Sequence, residues 1–268
     1  MSEFAVQFGP ERGLAGIVTE PRHGVPRAAL VLVSAGLLAK CGPFRLYAEL
    51  ARRLASEAIV TLRFDLSGVG DSARSPSGLS LRARTELEIG AAVDLVVERY
   101  GMPRVALGGL CSGAEDSLRS AASDARIGRV VMIDPFAYRT PGWFVRHALH
   151  RGARRTLRAL GLYEPLRGAE APERPRAVSY RYMEREEAAE ALGKLFARDG
   201  RAHFVYTAGV RERFNHPGQL NAWFPGLELA GRVTVDHFPR IDHTQLLSED
   251  RRAVIEAVAD KLTSSAMP

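Results

Sequence analysis

Residues 104–122 read RVALGGLCSGAEDSLRSAA, and this stretch decides the fold. An apolar run typical of a buried strand leads through the pentapeptide GLCSG, at 109–113, into a helical pattern. A nucleophile held at such a sharp turn has a strained backbone, and small residues two positions away on either side let strand and helix approach. Cys111 is central and is therefore the predicted nucleophile. The alternative is a buried cysteine in an ordinary glycine-rich turn.

Strand and helix patterns alternate along the rest of the chain. Short apolar strands separated by helices predict a parallel sheet covered on both faces, with all strand-to-helix loops along one rim. Ligands of such sheets bind beyond the carboxyl ends of the strands. The predicted strands are 28–34, 58–64, 104–109, 130–134, 202–207 and 232–238, after a hairpin of 4–8 and 14–19, and the predicted helices are 43–57, 82–100, 113–122 and 248–262.

Composition limits the class of protein. A chain of 268 residues, 46% of them hydrophobic, can bury one large core. It has no apolar run long enough for an integral membrane segment and no secretory leader pattern at its start. With only two cysteines, a cytoplasmic location is expected. No nucleic-acid module or phosphate-binding glycine motif is present, and neither a metal nor a cofactor is predicted.

The alternation lapses between residues 138 and 201. This segment carries 14 Arg and Lys against 8 Asp and Glu, a net charge of +6 that equals the charge of the whole chain. We interpret 138–201 as a helical cap inserted into a core formed by 1–137 and 202–268. Its basic helices could receive an acidic substrate, a membrane surface or an acidic acyl-carrier protein. A solvated arginine-rich lid is the simpler alternative.

His243 is the predicted general base. It follows the last predicted strand and precedes the final helix, and enzymes built on this turn order their residues as nucleophile, acid, then histidine. Asp242, its neighbour, is expected to fix the loop. For the acid we favour Glu212, the only carboxylate in the loop after 202–207. Asp134, at the end of the preceding strand, is the rival.

The developing oxyanion needs hydrogen-bond donors. One is expected to be the backbone N–H of Ser112, the residue after the nucleophile. The other is expected from the loop after 28–34, where Gly36 lets the chain turn and Leu37 is the predicted donor.

Three segments together carry a resemblance to the α/β-hydrolase superfamily. They are Ala35-Gly36-Leu37, the motif FDLSGVGDS at 64–72, and the turn GLCSG at 109–113, which we call the elbow, together with the distant Asp242-His243-Thr244. The chain looks most similar to bacterial hydrolases found beside exopolysaccharide, exosortase or natural-product genes, and its elbow cysteine is similar to that of dienelactone hydrolases. The resemblance implies an α/β-hydrolase fold over about 14–262. Cys111 in place of serine and Glu212 in place of aspartate depart from the usual pattern.

The sequence thus predicts a hydrolase of esters or thioesters that forms an acyl-cysteine at Cys111. Its substrate would be a small-molecule or carrier-bound acyl compound. An acyltransferase that uses the same acyl-enzyme, an elimination lyase and a non-catalytic binding protein of the same fold are the alternatives.

Overall fold

The computed structural model describes residues 1–159 and 182–264, and its central element is a sheet of eight strands. The predicted α/β-hydrolase fold is confirmed, with a mostly parallel sheet and helices on both faces. The strands are β1 (Ser2–Phe8), β2 (Leu14–Glu20), β3 (Ala28–Val33), β4 (Ile59–Phe64), β5 (Val105–Leu110), β6 (Ile127–Ile133), β7 (Arg201–Thr207) and β8 (Val233–Phe238).

The strands lie in the order β1-β2-β4-β3-β5-β6-β7-β8. The predicted hairpin forms β1 and β2, which pair antiparallel, and β2 also runs antiparallel to β4. From β4 to β8 every pair is parallel, so the carboxyl ends of these strands meet at one edge of the sheet. That edge is where the candidate functional residues follow their strands, and we call it the active edge.

Seven helices connect or flank the strands in the part of the chain that the structure describes. The longest, α2, begins where the Ser80 side chain accepts a hydrogen bond from the amide of Ala83 and ends at Gly101, whose φ is +63°. The helices are α1 (Leu46–Ala55), α2 (Leu81–Tyr100), α3 (Ser112–Ser123), α4 (Pro141–Ala159), α5 (Arg185–Phe196), α6 (Gln219–Trp223) and α7 (Ser248–Ser264).

Two hydrophobic clusters cover the two faces of the sheet. One cluster joins the strands to α2, α3 and α5, through side chains such as Val93 and Leu118. The other joins them to α1 and α7, through side chains such as Leu50 and Val258. Each such fully buried side chain contributes about 1.5–3 kcal/mol through burial, so the frame around the active edge is rigid.

Part of the segment predicted as a cap belongs to the core of the structure. Helix α5 packs on α3, and its side chains Ala188, Leu192 and Leu195 are fully buried in the core, so this part of 138–201 helps cover the sheet. Residues 160–181 of the predicted cap lie outside the described residues, and the cap itself stays a prediction. Among the described helices, none combines the length and apolarity needed to cross a bilayer.

Candidate active site

Cys111 occupies a strained turn between β5 and α3. Its φ of 53° and ψ of −118° lie outside the regions that a residue with a side chain ordinarily adopts. The strand and helix meet so closely that a Cβ atom at Gly109 would lie 2.6 Å from the carbonyl carbon of Gly113. A Cβ atom at Gly113 would lie 2.5 Å from the carbonyl oxygen of Val33. The turn therefore requires both glycines, and it lifts the half-buried Cys111 to the active edge.

Tyr47 of α1 fixes the start of this turn. Its buried hydroxyl donates to the carbonyl oxygen of Val33 at 3.1 Å and accepts from the amide of Leu110 at 2.7 Å. Burial raises the pKa of Tyr47, so the hydroxyl keeps its proton and its donor role. The paired register of β3 and β5 ends at Val33 and Gly109. One hydroxyl thus bridges the two strands where they diverge toward the predicted oxyanion loop and Cys111.

Asp134 and His243 form a hydrogen-bonded pair beside Cys111. Asp134 follows β6 with a φ of 45°, is 1% exposed, and accepts from Nδ1 of His243 through Oδ2 at 2.8 Å. Its other oxygen accepts from the amide of Thr207 at 2.6 Å, and the Thr207 hydroxyl also donates to Oδ2. With these three donors, the carboxylate is fixed in orientation and holds the ring of His243.

The pKa of His243 is shifted by its two neighbours, Asp134 and Cys111. Burial by itself lowers this pKa, but the hydrogen bonds and charges of Asp134 and of the Cys111 sulfur outweigh burial and raise it to about 10. The raised pKa favours the imidazolium form of His243, which has the Asp134 carboxylate on one side and the Cys111 sulfur on the other. A thiolate beside an imidazolium is the form in which cysteine acts as a nucleophile.

Glu212 does not lie where the sequence placed the acid. Its side chain is exposed, and its recorded contact is through the main chain, whose carbonyl oxygen accepts from Nε of Arg139 at 2.8 Å. The carboxylate bonded to His243 is Asp134, the rival candidate. The loop after β7 passes so close to the pair that a Cβ atom at Gly209 would lie 2.6 Å from Cβ of His243 and 2.8 Å from Oδ2 of Asp134.

Asp242 fixes the loop that carries His243, as its position suggested. Its carboxylate accepts from the amide of Thr244 at 2.8 Å, from the Thr244 hydroxyl at 2.6 Å and from the amide of Leu246 at 3.0 Å. Although burial raises the pKa of Asp242, these hydrogen bonds lower it overall, so the carboxylate stays charged.

The predicted oxyanion loop lies against the elbow. The Ser112 hydroxyl accepts from the amide of Gly36 at 2.9 Å, and the amide of Leu38 donates to the carbonyl oxygen of Ala35 at 2.9 Å. Among the described residues, the amide of Leu37 has no recorded acceptor. The amide of Ser112 begins α3 and therefore has no partner within the helix. Both predicted donor amides are thus available to a ligand.

The FDLSGVGDS motif anchors this loop from the other side. Asp65 is fully buried and accepts from Nζ of Lys40 at 2.6 Å and from the amide of Asp71 at 3.0 Å. The chain passes so close to the carboxylate that a Cβ atom at Gly70 would lie 2.6 Å from its carbon. The loop after β4 therefore holds the loop after β3 through a buried ion pair.

Three residues that support the candidate site were not predicted from the sequence: Tyr47, Lys40 and Thr207. Tyr47 lies in the predicted helix 43–57, where a tyrosine on the apolar face signals a buried hydroxyl in need of a partner. For Lys40 and Thr207 no sequence signal identifies the contact, because each partner is distant along the chain.

We expect Tyr47→Phe to weaken both the fold and the site. Removing the hydroxyl leaves the Leu110 amide and the Val33 carbonyl without their bridge, which costs about 1–3 kcal/mol in the free energy of unfolding. Because these groups flank the elbow, kcat for an activated ester should fall as well. Urea unfolding and steady-state kinetics measure the two effects.

The matched control is Tyr100→Phe. Tyr100 donates to Glu20 at the opposite edge of the sheet, so this variant should lose stability without losing kcat. If Tyr47→Phe keeps the wild-type kcat, its hydroxyl does not position the elbow.

With this geometry established, the family is clear. The model of the Alpha/beta hydrolase family matches residues 30–267, and the chain belongs to that family. No curated protein matches the sequence at a significant level.

Solved structures share the fold at low sequence identity. GrgF, an α/β hydrolase from Penicillium sp. sh18, is 18% identical with a TM-score of 0.62, over 99% of this chain and 100% of that chain. The esterase domain of a Rhodothermus marinus protein is 17% identical with a TM-score of 0.61, over 99% and 100%. XC6422 from Xanthomonas campestris, an α/β serine hydrolase without a lid, is 17% identical with a TM-score of 0.57, over 100% and 96%.

Proposed function

We propose that this protein hydrolyses ester or thioester bonds through an acyl-cysteine at Cys111. One observation carries the proposal: a buried carboxylate, Asp134, holds Nδ1 of His243 at 2.8 Å, and the same imidazole interacts with the sulfur on the strained turn. Neither contact is part of the strand pairing of the sheet. A relay from carboxylate to imidazole to nucleophile is the arrangement that acyl-transfer enzymes on unrelated folds share.

In the acylation step, the Cys111 thiolate attacks the carbonyl carbon of the substrate. A bond forms between Sγ and carbon, and the carbonyl electron pair moves onto oxygen, where the amides of Leu37 and Ser112 donate to it. When the tetrahedral adduct collapses, the bond to the alcohol or thiol breaks. His243 gives its proton to the departing group and becomes neutral, with Asp134 holding the tautomer whose Nε2 is free.

In the deacylation step, neutral His243 acts as general base. It takes a proton from a water molecule, whose oxygen attacks the acyl-cysteine carbonyl. The adduct collapses to a carboxylic acid, Sγ leaves as thiolate, and the imidazolium is restored. An amine or alcohol that replaces water makes the same intermediate an acyl donor, so acyl transfer differs from hydrolysis only in the acceptor.

Asp134 takes the role of acid in this proposal, in place of Glu212. Its burial and its two contacts from Thr207 keep the carboxylate from rotating away from His243. Since the acid follows β6, the loop after β7 is left free to pack against the imidazole through Gly209.

Alkylation by iodoacetamide tests the proposed nucleophile within one molecule. Cys111 and Cys41 are both free thiols, and Cys41 is the more exposed, so accessibility alone predicts faster labelling of Cys41. The proposal predicts the reverse order, because His243 lies beside the Cys111 sulfur and activates it as a nucleophile. Peptide mass spectrometry after timed quenching measures both rates.

The control is His243→Gln, which should slow labelling of Cys111 and leave Cys41 unchanged. If Cys111 labels no faster than Cys41 in the wild-type protein, and His243→Gln has no effect, the residue is an ordinary structural cysteine.

A further inference from the structure

Helix α4 extends from the active edge, and one of its sides is apolar and exposed. One side of its first two turns is anchored: Trp143 is 4% exposed and donates from Nε1 to the carbonyl oxygen of Arg211 at 3.4 Å, and Arg146 donates to Oδ1 of Asn215 at 2.9 Å. On another side of the helix, Val145 is 61% and Leu149 is 68% exposed. Exposed apolar side chains of this size, next to one another, mark an interaction surface.

Arginines and apolar side chains lie mainly on different sides of α4. At about 100° per residue, Val145 and Leu149 lie about 40° apart on one side of the helix, while Arg151 and Arg155 lie about 40° apart on another, together with the exposed Phe144. All four are exposed. The helix contains five arginines and no acidic residue. We call these four residues the α4 surface.

The rest of the active edge continues this pattern. Leu37 is 92% exposed in the oxyanion loop, and Leu246 and Leu247 are 55% and 54% exposed just after His243. All three follow carboxyl ends of parallel strands, as α4 does, so they lie on the edge that carries the α4 surface. Exposed apolar side chains therefore follow three of the strands that end at the active edge.

We propose that the α4 surface docks the protein on an anionic lipid bilayer, with the active edge facing the lipid. A helix with arginines on one side and apolar residues on the other binds in the headgroup region, where both find partners. An acidic protein would need an apolar patch beside its carboxylates to cover Leu149 as well as pair the arginines. A second copy of this chain would cover Leu149 and bring like charges together.

Vesicle sedimentation with the full chain tests the docking. The vesicles are phosphatidylcholine alone and phosphatidylcholine mixed with phosphatidylglycerol. The test variant is Leu149→Asp with Arg151→Glu. Its matched control, Val25→Asp with Arg22→Glu, makes the same chemical changes at exposed positions in the loop between β2 and β3, on the opposite edge of the sheet.

Wild type and control should bind the mixed vesicles and not the neutral ones, and the test variant should bind at least about tenfold more weakly. Hydrolysis of a soluble activated ester is measured in parallel and should be equal in all three proteins, so a failure of docking is distinguishable from a failure of the proposed chemistry. Equal binding to both vesicle types, or full binding by the test variant, overturns the proposal. The proposal is also overturned if the wild type binds no vesicles but self-associates, and only the test variant loses that self-association.

Discussion

Asp134→Asn should lower kcat for an activated ester by about 10⁴-fold, on the scale seen when the carboxylate of a catalytic triad becomes an amide. An amide keeps the size of the side chain and its capacity to accept from Thr207. It cannot stabilise the imidazolium of His243, and it leaves the ring in the wrong tautomer for proton transfer. The substrate still meets the elbow and the oxyanion amides, so KM should change much less than kcat.

Glu212→Gln is the matched control, because it makes the same chemical change at the residue that sequence alone favoured. Its side chain is exposed, and its recorded hydrogen bond uses the main-chain carbonyl. This variant should keep kcat within about twofold, since surface substitutions of this kind have small effects. A large loss in Glu212→Gln together with a small loss in Asp134→Asn would contradict the assignment of the acid.

Cys111→Ala should lower kcat by at least about 10⁴-fold, because alanine has no atom that can form the covalent intermediate. Alanine retains the Cβ atom, so the strained backbone at φ 53° is no worse tolerated than in the wild type. The expected loss therefore comes from chemistry and not from unfolding. A thermal melt checks this, because the variant should unfold at the same temperature as the wild type. Residual activity reflects the oxyanion amides alone.

Two companion variants sharpen this result. Cys41→Ala removes the other free thiol and should leave kcat unchanged. Cys111→Ser keeps a nucleophilic atom, but a hydroxyl is a weaker acid and a weaker nucleophile than a thiol, so we expect activity far below that of the wild type. If Cys111→Ala retains most of the wild-type rate, acyl-cysteine chemistry is wrong.

Much of the fold was predictable because its signals are local. Glycines at 109 and 113 mark the elbow because the crossing of strand and helix leaves no room for a Cβ atom. The apolar runs predict the parallel strands because both of their faces are buried, as they are in β3, β4 and β6. His243 could be predicted from its place after the last strand.

The acid could not be decided from the sequence, because Asp134 and Glu212 both follow buried strands. What separates them is a contact across the sheet: β6 lies next to β7, and Thr207 at the end of β7 donates twice to Asp134. Similarly, Tyr47 reaches Leu110 over 63 positions of sequence. Contacts of this range depend on strand order, which apolar patterns alone do not specify.

Intact-protein mass spectrometry tests the central claim most directly. The protein is mixed with an activated ester and quenched in acid during turnover, and its intact mass is measured. The modified peptide is then sequenced. The account predicts a gain equal to the mass of the acyl group, located on Cys111 and absent from Cys111→Ala. Steady turnover with no added mass, or an acyl group that persists in Cys111→Ala, would contradict it.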